Sequence, residues 1–311
     1  MKGKEKRIQL NMNKRQRDLI FVLLMLAIPV LRFIVFWVVP NVNSIVMAFQ
    51  TPHSEGLSLV HFERFFREWK DPNGALAPSF RNSIILFVCS TFINYPIVIF
   101  LSYVLFKKVY GYKLFRVIFY SPAILGASVT AALYRYLVST NGPVEHLLDW
   151  LGVEYSKQLG LLGNPDTAFL MIIIYAFWTG VGVNMIMMLG AMKRIPEDIF
   201  DSARIDGVGF WREFFQIVCP LIWPTITTLL VFGMTGIFTN SAATMLLAPN
   251  EYQASTIGWY ITRYTMTGGA GTTTAGLNYP AAVGLFFTAV GFPLVLLTKW
   301  LCEKVSDNVE Y

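Results

Sequence analysis

Polar and acidic side chains gather between two long apolar runs in the stretch Ile195 to Pro224. It holds Glu197, Asp198, Asp201, Ser202, Arg204 and Asp206 ahead of glycines at 207 and 209. Carboxylates in a first turn complement the positive end of a helix dipole, Pro196 suits that first turn, and Gly207 suits a C-terminal stop. The spacing predicts a short helix over 196–206. Ile199 and Ala203 lie four apart with Phe200 beside them, while Asp198, Asp201, Ser202 and Arg204 fall largely elsewhere around the wheel. This small amphipathic helix has nothing obvious of its own to bury against. A second helix begins at Phe210, with Trp211, Phe214, Phe215 and Val218 apolar. The chemistry open to such a helix–glycine–helix element is recognition, as a plug for another protein's groove.

Elsewhere the residues that could make or break bonds are not arranged to do so. No G-x-x-x-x-G-K-[ST] loop is present to cradle nucleotide phosphates. His53, His61 and His146 fall in loops without metal-ligand spacing. Cys89, Cys219 and Cys302 each fall in or beside an apolar run, an odd and unclustered set that argues for packing rather than for disulfides or zinc. None of the 19 Asp and Glu residues falls inside an apolar run, whereas ion-coupled carriers usually place carboxylates at membrane depth. Neither catalysis nor a cofactor is expected of this polypeptide.

The elements that must position the acidic stretch are membrane spans. Of 311 residues 55% are hydrophobic and 14% charged, with a mean hydropathy of +0.52; soluble domains carry roughly a quarter charged residues. Six apolar runs are long enough to cross a bilayer as helices. They are Leu19–Phe49, Asn82–Phe106, Phe115–Val138, Ala168–Met192, Val218–Thr239 and Tyr279–Leu301. The first, interrupted by Pro29, Arg32 and Pro40, should tilt, kink or project. Arg32 within it should face protein, water or a polar seam. Seventeen of the 25 Lys and Arg residues fall in segments on one side of this scheme and six on the other, so the positive-inside rule places both termini and the acidic stretch in the cytoplasm. The chain then divides into a basic N-terminus 1–18, a six-span domain 19–301 that includes the loop 193–218, and a tail 302–311. A short amphipathic helix is expected around His61–Phe66. The outer loops 139–167 and 240–278 show little sustained helical periodicity. The +6 net charge follows topology, not a nucleic-acid surface.

Asp201-Ser202-Ala203-Arg204-Ile205-Asp206-Gly207, followed by Ile217-Val218-Cys219-Pro220, resembles the signature of the permease subunits of binding-protein-dependent ABC importers. That signature reads Glu-Ala-Ala, two residues, Asp-Gly, a spacer, then Ile-x-Leu-Pro. Ile195-Pro196-Glu197 and Pro224 are similar to the sugar-importer branch, of the type found with maltose and glycerol-phosphate permeases. Asp201, Ser202 and Cys219 depart from it conservatively. The resemblance implies an all-α membrane protein with six transmembrane helices and a cytoplasmic coupling helix, in a bacterial inner membrane. It makes Glu197, Asp201, Ser202, Ala203, Asp206, Gly207 and Pro220 the residues that couple to ATP hydrolysis on a separate subunit. The implied partners are two ATP-binding subunits, a second permease of a different chain, an extracytoplasmic substrate-binding protein and membrane lipid.

For the path of a sugar, oligosaccharide or polyol, the polar and aromatic residues at membrane depth are Trp178, Thr179 and Asn184 on the fourth span, Asn94 on the second, and Asn240 at the end of the fifth. Amides and aromatic faces suit hydroxyls and sugar rings, and bundle packing accounts for the same residues equally. Another small solute, an ATPase-independent carrier or channel, and a membrane scaffold remain open.

Overall fold

A computed structural model describes residues 13–51, 54–152, 160–250, 252–269 and 275–306. The chain opens with helix α1 (Lys14–Phe33), a π-helical turn (Ile34–Val38) and α2 (Val39–Phe49). Two short antiparallel strands, β1 (Gln50–Thr51) and β2 (Ser54–Leu57), depart from an all-helical chain. Then come α3 (Val60–Lys70), α4 (Leu76–Cys89), a π turn (Ser90–Asn94) and α5 (Tyr95–Phe106). Next are α6 (Tyr112–Ile124), α7 (Ala127–Leu137), α8 (Pro143–Trp150), α9 (Gly160–Gly163) and α10 (Pro165–Met192). The acidic stretch contributes α11 (Glu197–Ile205), α12 (Phe210–Glu213), a π turn (Phe214–Val218) and α13 (Cys219–Leu221). The chain continues with α14 (Trp223–Gly236), α15 (Ala242–Leu247), a 3₁₀ turn (Tyr252–Ala254), α16 (Ile257–Gly269) and α17 (Ala275–Ser306).

Among the described residues, four stretches are long and apolar enough to cross a membrane: Asp18–Phe49, Leu76–Phe106, Pro165–Met192 and Gly276–Val305. Six is reached when two bent pairs each count as one span. The third expected run, Phe115–Val138, is therefore not a straight rod. Leu125 and Gly126 are extended, and α6 and α7 meet at 109°. Pro122 cannot donate to the Ile118 carbonyl, which takes the Ser121 hydroxyl at 3.0 Å instead, and the helix ends one turn on. The fifth run begins earlier than expected, at Phe210, and bends by 70° at Ile222, between Pro220 and Pro224.

The two long loops expected on the outer face also correct the sequence reading. Segment 139–167 holds α8 and α9, and 240–278 holds α15, the 3₁₀ turn and α16. In α16, Ile257, Trp259 and Tyr260 are buried, and tertiary burial of this kind stabilises a helix whose own pattern is weak. Arg32 and the apolar residues around it are exposed along α1, whereas α2 packs against α17.

Each π turn has one cause. The amide closing it reaches back five residues: Val39 to Ile34, Tyr95 to Ser90, Cys219 to Phe214. A proline stands immediately after each, at 40, 96 and 220. Its ring crowds the carbonyl four residues back and cannot bond to it, so the turn before it widens.

Helix α3, the amphipathic element expected near His61–Phe66, is pinned to α16 and α17. Phe65 is buried with Phe286 at 4.5 Å. The Glu68 carboxylate accepts from Tyr260, from Tyr279 at 2.7 Å and from Arg64 at 2.8 Å, and the Arg64 guanidinium lies 4.1 Å from the Tyr279 ring centre. Burial alone would raise the Glu68 carboxyl, but the hydrogen bonds from Tyr260, Tyr279 and Arg64 outweigh it and hold it below the usual carboxylate range. A carboxyl lowered on folding stabilises above its unfolded value, about 4.3, and loses that contribution as pH falls toward the folded value. Acidification from neutral pH to about 4 and below is therefore expected to lower the thermal midpoint of the detergent-solubilised protein more than that of Glu68→Gln. Equal losses would show that the cluster contributes nothing.

Candidate functional site

Helix α11 spans one residue less at each end than the 196–206 expected, with Pro196 extended at its N-terminal boundary. Its C-terminus explains the glycine. The Gly207 amide donates to the Arg204 carbonyl at 3.1 Å and the Val208 amide to Ala203 at 2.9 Å, with Gly207 at φ +69°. This is a Schellman stop, which needs a left-handed residue at that position.

Phe200 and Ala203 are buried. Contrary to expectation, the chain itself supplies a surface for them: the Phe200 ring packs on Phe106 at 5.5 Å and joins a core with Tyr103, Leu105 and Met192. Glu197, Asp201, Ser202 and Asp206 stay exposed. The Ser202 hydroxyl returns to the Asp198 carbonyl at 2.9 Å, and Asp201 pairs with Arg204 at 2.7 Å in solvent, a contact worth about 0–1 kcal/mol. Ile205 is 88% exposed. Its place off the Ile199/Ala203 stripe signalled this in the sequence. The anchored face is thus apolar, and the exposed side carries four carboxylates, Asp198 among them, a hydroxyl and one large aliphatic side chain. Pro220 is half-buried behind the π turn at Phe214–Val218.

The sequence reading missed Glu213. It is 4% exposed and accepts from Lys107 Nζ at 2.9 and 3.0 Å and from the Tyr103 hydroxyl at 3.0 Å. A carboxylate three residues after Phe210 and four before Ile217 stands in an apolar stripe, which was the available signal. Around it Trp211 stacks on Phe100 at 5.4 Å, and Tyr103 meets Phe210 at 4.9 Å and Phe214 at 5.0 Å.

The five residues expected along a solute path fall in three places. Asn94 and Asn184 come together at Gly180, where an added Cβ would lie 3.4 Å and 3.9 Å from their amide nitrogens. Asn94 is 4% exposed, and its amide makes no hydrogen bond among the described residues. Trp178 lies elsewhere, ringed by Tyr134 at 6.2 Å and Tyr175 at 6.4 Å. The Thr179 hydroxyl is occupied by the Tyr175 carbonyl at 2.9 Å. Asn240 lines a separate cavity of about 180 Å³ with Ser83, Ser90, Tyr95 and Thr256. Tyr95 faces α14, its hydroxyl seated against Gly233. Neighbouring residues 94 and 95, at the end of one π turn, thus face α10 and α14 respectively.

Residues 74–307 match the family model described as binding-protein-dependent transport system inner membrane component. The chain is similar to a lactose transport system permease of Rhizobium radiobacter, 28% identical over 62% of this chain and 64% of the relative's length. A polygalacturonan/rhamnogalacturonan transport system permease of Bacillus subtilis is 27% identical over 99% of this chain and 95% of its own. Among solved structures, a bacterial ABC transporter involved in the import of the acidic polysaccharide alginate superposes with a TM-score of 0.79. It is 25% identical, with 93% of this chain and 97% of that one covered. The alginate ABC transporter in complex with an alginate pentasaccharide-bound periplasmic protein superposes with the same score at 24% identity, covering 93% and 96%.

Proposed function

The chain belongs to the family of binding-protein-dependent transport system inner membrane components, and from that premise we propose that it forms the path for a sugar or oligosaccharide in an ATP-driven importer. One of two ATP-binding subunits docks on α11, a second permease of a different chain completes the path, and an extracytoplasmic binding protein delivers the solute. Both termini and α11 lie on the cytoplasmic side of the bacterial inner membrane, where the excess of Lys and Arg falls. The lactose and polygalacturonan relatives support the carbohydrate class, and the neighbour's complex with a periplasmic protein supports external delivery.

The observation that carries this reading is α11 itself. Glu197, Asp201, Ser202 and Asp206 are held outward on a helix whose Phe200 is rooted on α5 and whose Ala203 is buried, and Gly207 sets the turn back into the span. Closure of the ATPase pair pushes α11, and the spans swing between inward- and outward-facing states. Asn94, Asn184 and Asn240, with Tyr95 and Ser83, present polar groups to the solute, and Trp178 an aromatic face.

The test is purification of the complex from its native membrane, followed by reconstitution, for wild type and Gly207→Trp. An ATPase and a second permease are expected with the wild type, together with ATP-driven uptake. No neighbour lies within reach of an added Cβ at Gly207, so the tryptophan acts through the left-handed backbone, which costs a side-chain-bearing residue roughly 1–2 kcal/mol. Such a cost shifts a population by about five- to thirtyfold, and uptake is expected to fall within that range while the chain still inserts. A stable protein with neither partner, or a mutant with wild-type uptake, would sink the reading.

A further inference from the structure

We infer that Glu213, held by Lys107 and Tyr103, is a positioning residue for transport: it ties both helices of the coupling element to the second span, so that they move as one unit. The inference rests on the importer reading above and goes beyond the residues assigned there.

The glycine break at 207–209 separates α11 from α12 and would let the two helices swing independently. One turn at the end of α5 grips both. Phe200 of α11 packs on Phe106, with Lys107 Nζ 6.0 Å from its ring centre. Glu213 of α12 takes the same ammonium on both carboxylate oxygens and the Tyr103 hydroxyl besides. Lys107 is thus shared across the break, with Phe106 holding the α11 side and Tyr103 the α12 side.

Aromatic contacts such as Phe100 on Trp211 fill space and permit sliding. Charge-assisted hydrogen bonds fix direction as well as distance. Burying an ion pair is a poor route to stability, and its best-attested use is to specify one arrangement among several. Here the arrangement specified is the angle between α12 and α5. From that grip α5 runs to Tyr95 and on to Asn94 at the end of the π turn, and these residues face α14 and α10. A push on α11 is thereby delivered to the wall of the polar cavity, between Tyr95 and Gly233.

The test uses the full complex in proteoliposomes and reads solute taken up per ATP hydrolysed. In Glu213→Gln the complex is expected to copurify at wild-type yield and to keep hydrolysing ATP, while uptake per ATP falls by about fivefold or more. The exchange variant, Lys107→Glu with Glu213→Lys, is expected to recover at least about half of the wild-type ratio. A purely structural role predicts lower yield with an unchanged ratio in whatever assembles, and that result overturns the inference. An assembled Glu213→Gln complex with the wild-type ratio overturns it too. If Glu213→Gln fails to assemble, the exchange variant decides: recovery of assembly and ratio supports the tie, and a low ratio or no assembly rejects it. A wild type without ATP-driven uptake would instead sink the importer reading, which keeps the two failures distinct.

Discussion

Replacing Gly182 by leucine is expected to leave little folded protein in the membrane. A Cβ on residue 182 would lie 2.6 Å from the Phe119 carbonyl oxygen, 3.0 Å from the Ala123 Cβ and 3.4 Å from the Tyr120 Cα. These atoms are the frame of α6, not the tip of a side chain that could turn aside, so α6 and α10 must separate. Helices in lipid associate through close backbone approach at small residues, with no hydrophobic force to replace it. Overpacking costs roughly 1–3 kcal/mol where neighbours can adjust. Here the neighbour is backbone, and the cost should reach or exceed the upper end. Gly182→Ala should give a graded version of the same defect, a lower thermal midpoint in detergent with folded protein still recovered. Wild-type midpoints for both variants would mean that the two helices do not meet at this point.

The second large effect is expected at Asn82. It is 1% exposed, and its amide donates to the carbonyls of Gln253 at 2.5 Å and Ser255 at 2.9 Å. Next to it, Ser83 accepts from the Ile257 amide at 2.9 Å. Two adjacent side chains of α4 therefore hold the segment that leads into α16, and Ser83 and Thr256 also line the polar cavity. Asn82→Leu keeps the bulk but strands the buried carbonyl of Ser255, worth about 1–3 kcal/mol when left unpaired, and removes the donor to the part-buried carbonyl of Gln253. Limited proteolysis around 250–257 should then accelerate by about tenfold or more, since 1.4 kcal/mol is a tenfold change in the open fraction, and uptake should fall. Asn82→Asp should not rescue, because a carboxylate has no donor for two carbonyls. Unchanged cleavage would show that the segment is held by other contacts.

What could be read from the sequence was what is local. Helix capping acts within a few residues, so 196–206 and the stop at Gly207 were legible from Pro196, the first-turn carboxylates and the glycine. Hydropathy sums apolar length and carries no direction, so it found Phe115–Val138 and Val218–Thr239 and missed the bends, although Pro122, Gly126 and the pair Pro220 and Pro224 stood in plain view. Partners far along the chain were beyond reach. Glu213 could be flagged as a carboxylate among aromatics, but its cation lies 106 residues earlier. The path residues were chosen for polarity at depth, which says nothing about which helix face they occupy. Hence Trp178 and Thr179 part company with Asn94 and Asn184, and Asn240 with both. The helix α16 was missed because packed neighbours, not its own periodicity, sustain it.

The π turns ahead of Pro40, Pro96 and Pro220 give these spans slack. Each turn holds one residue more than an α-helix would use over the same rise, and that surplus can be handed along the helix. Passing it by one position would turn the residues it passes through about 100° around the axis without lengthening the span or disturbing its ends. At the turn ending in Asn94, such a transfer would carry one of the side chains at 94 and 95 into the direction now held by the other. A rod anchored at the Lys107 end and packed at the other could thus change what it shows to its neighbours by internal rotation alone.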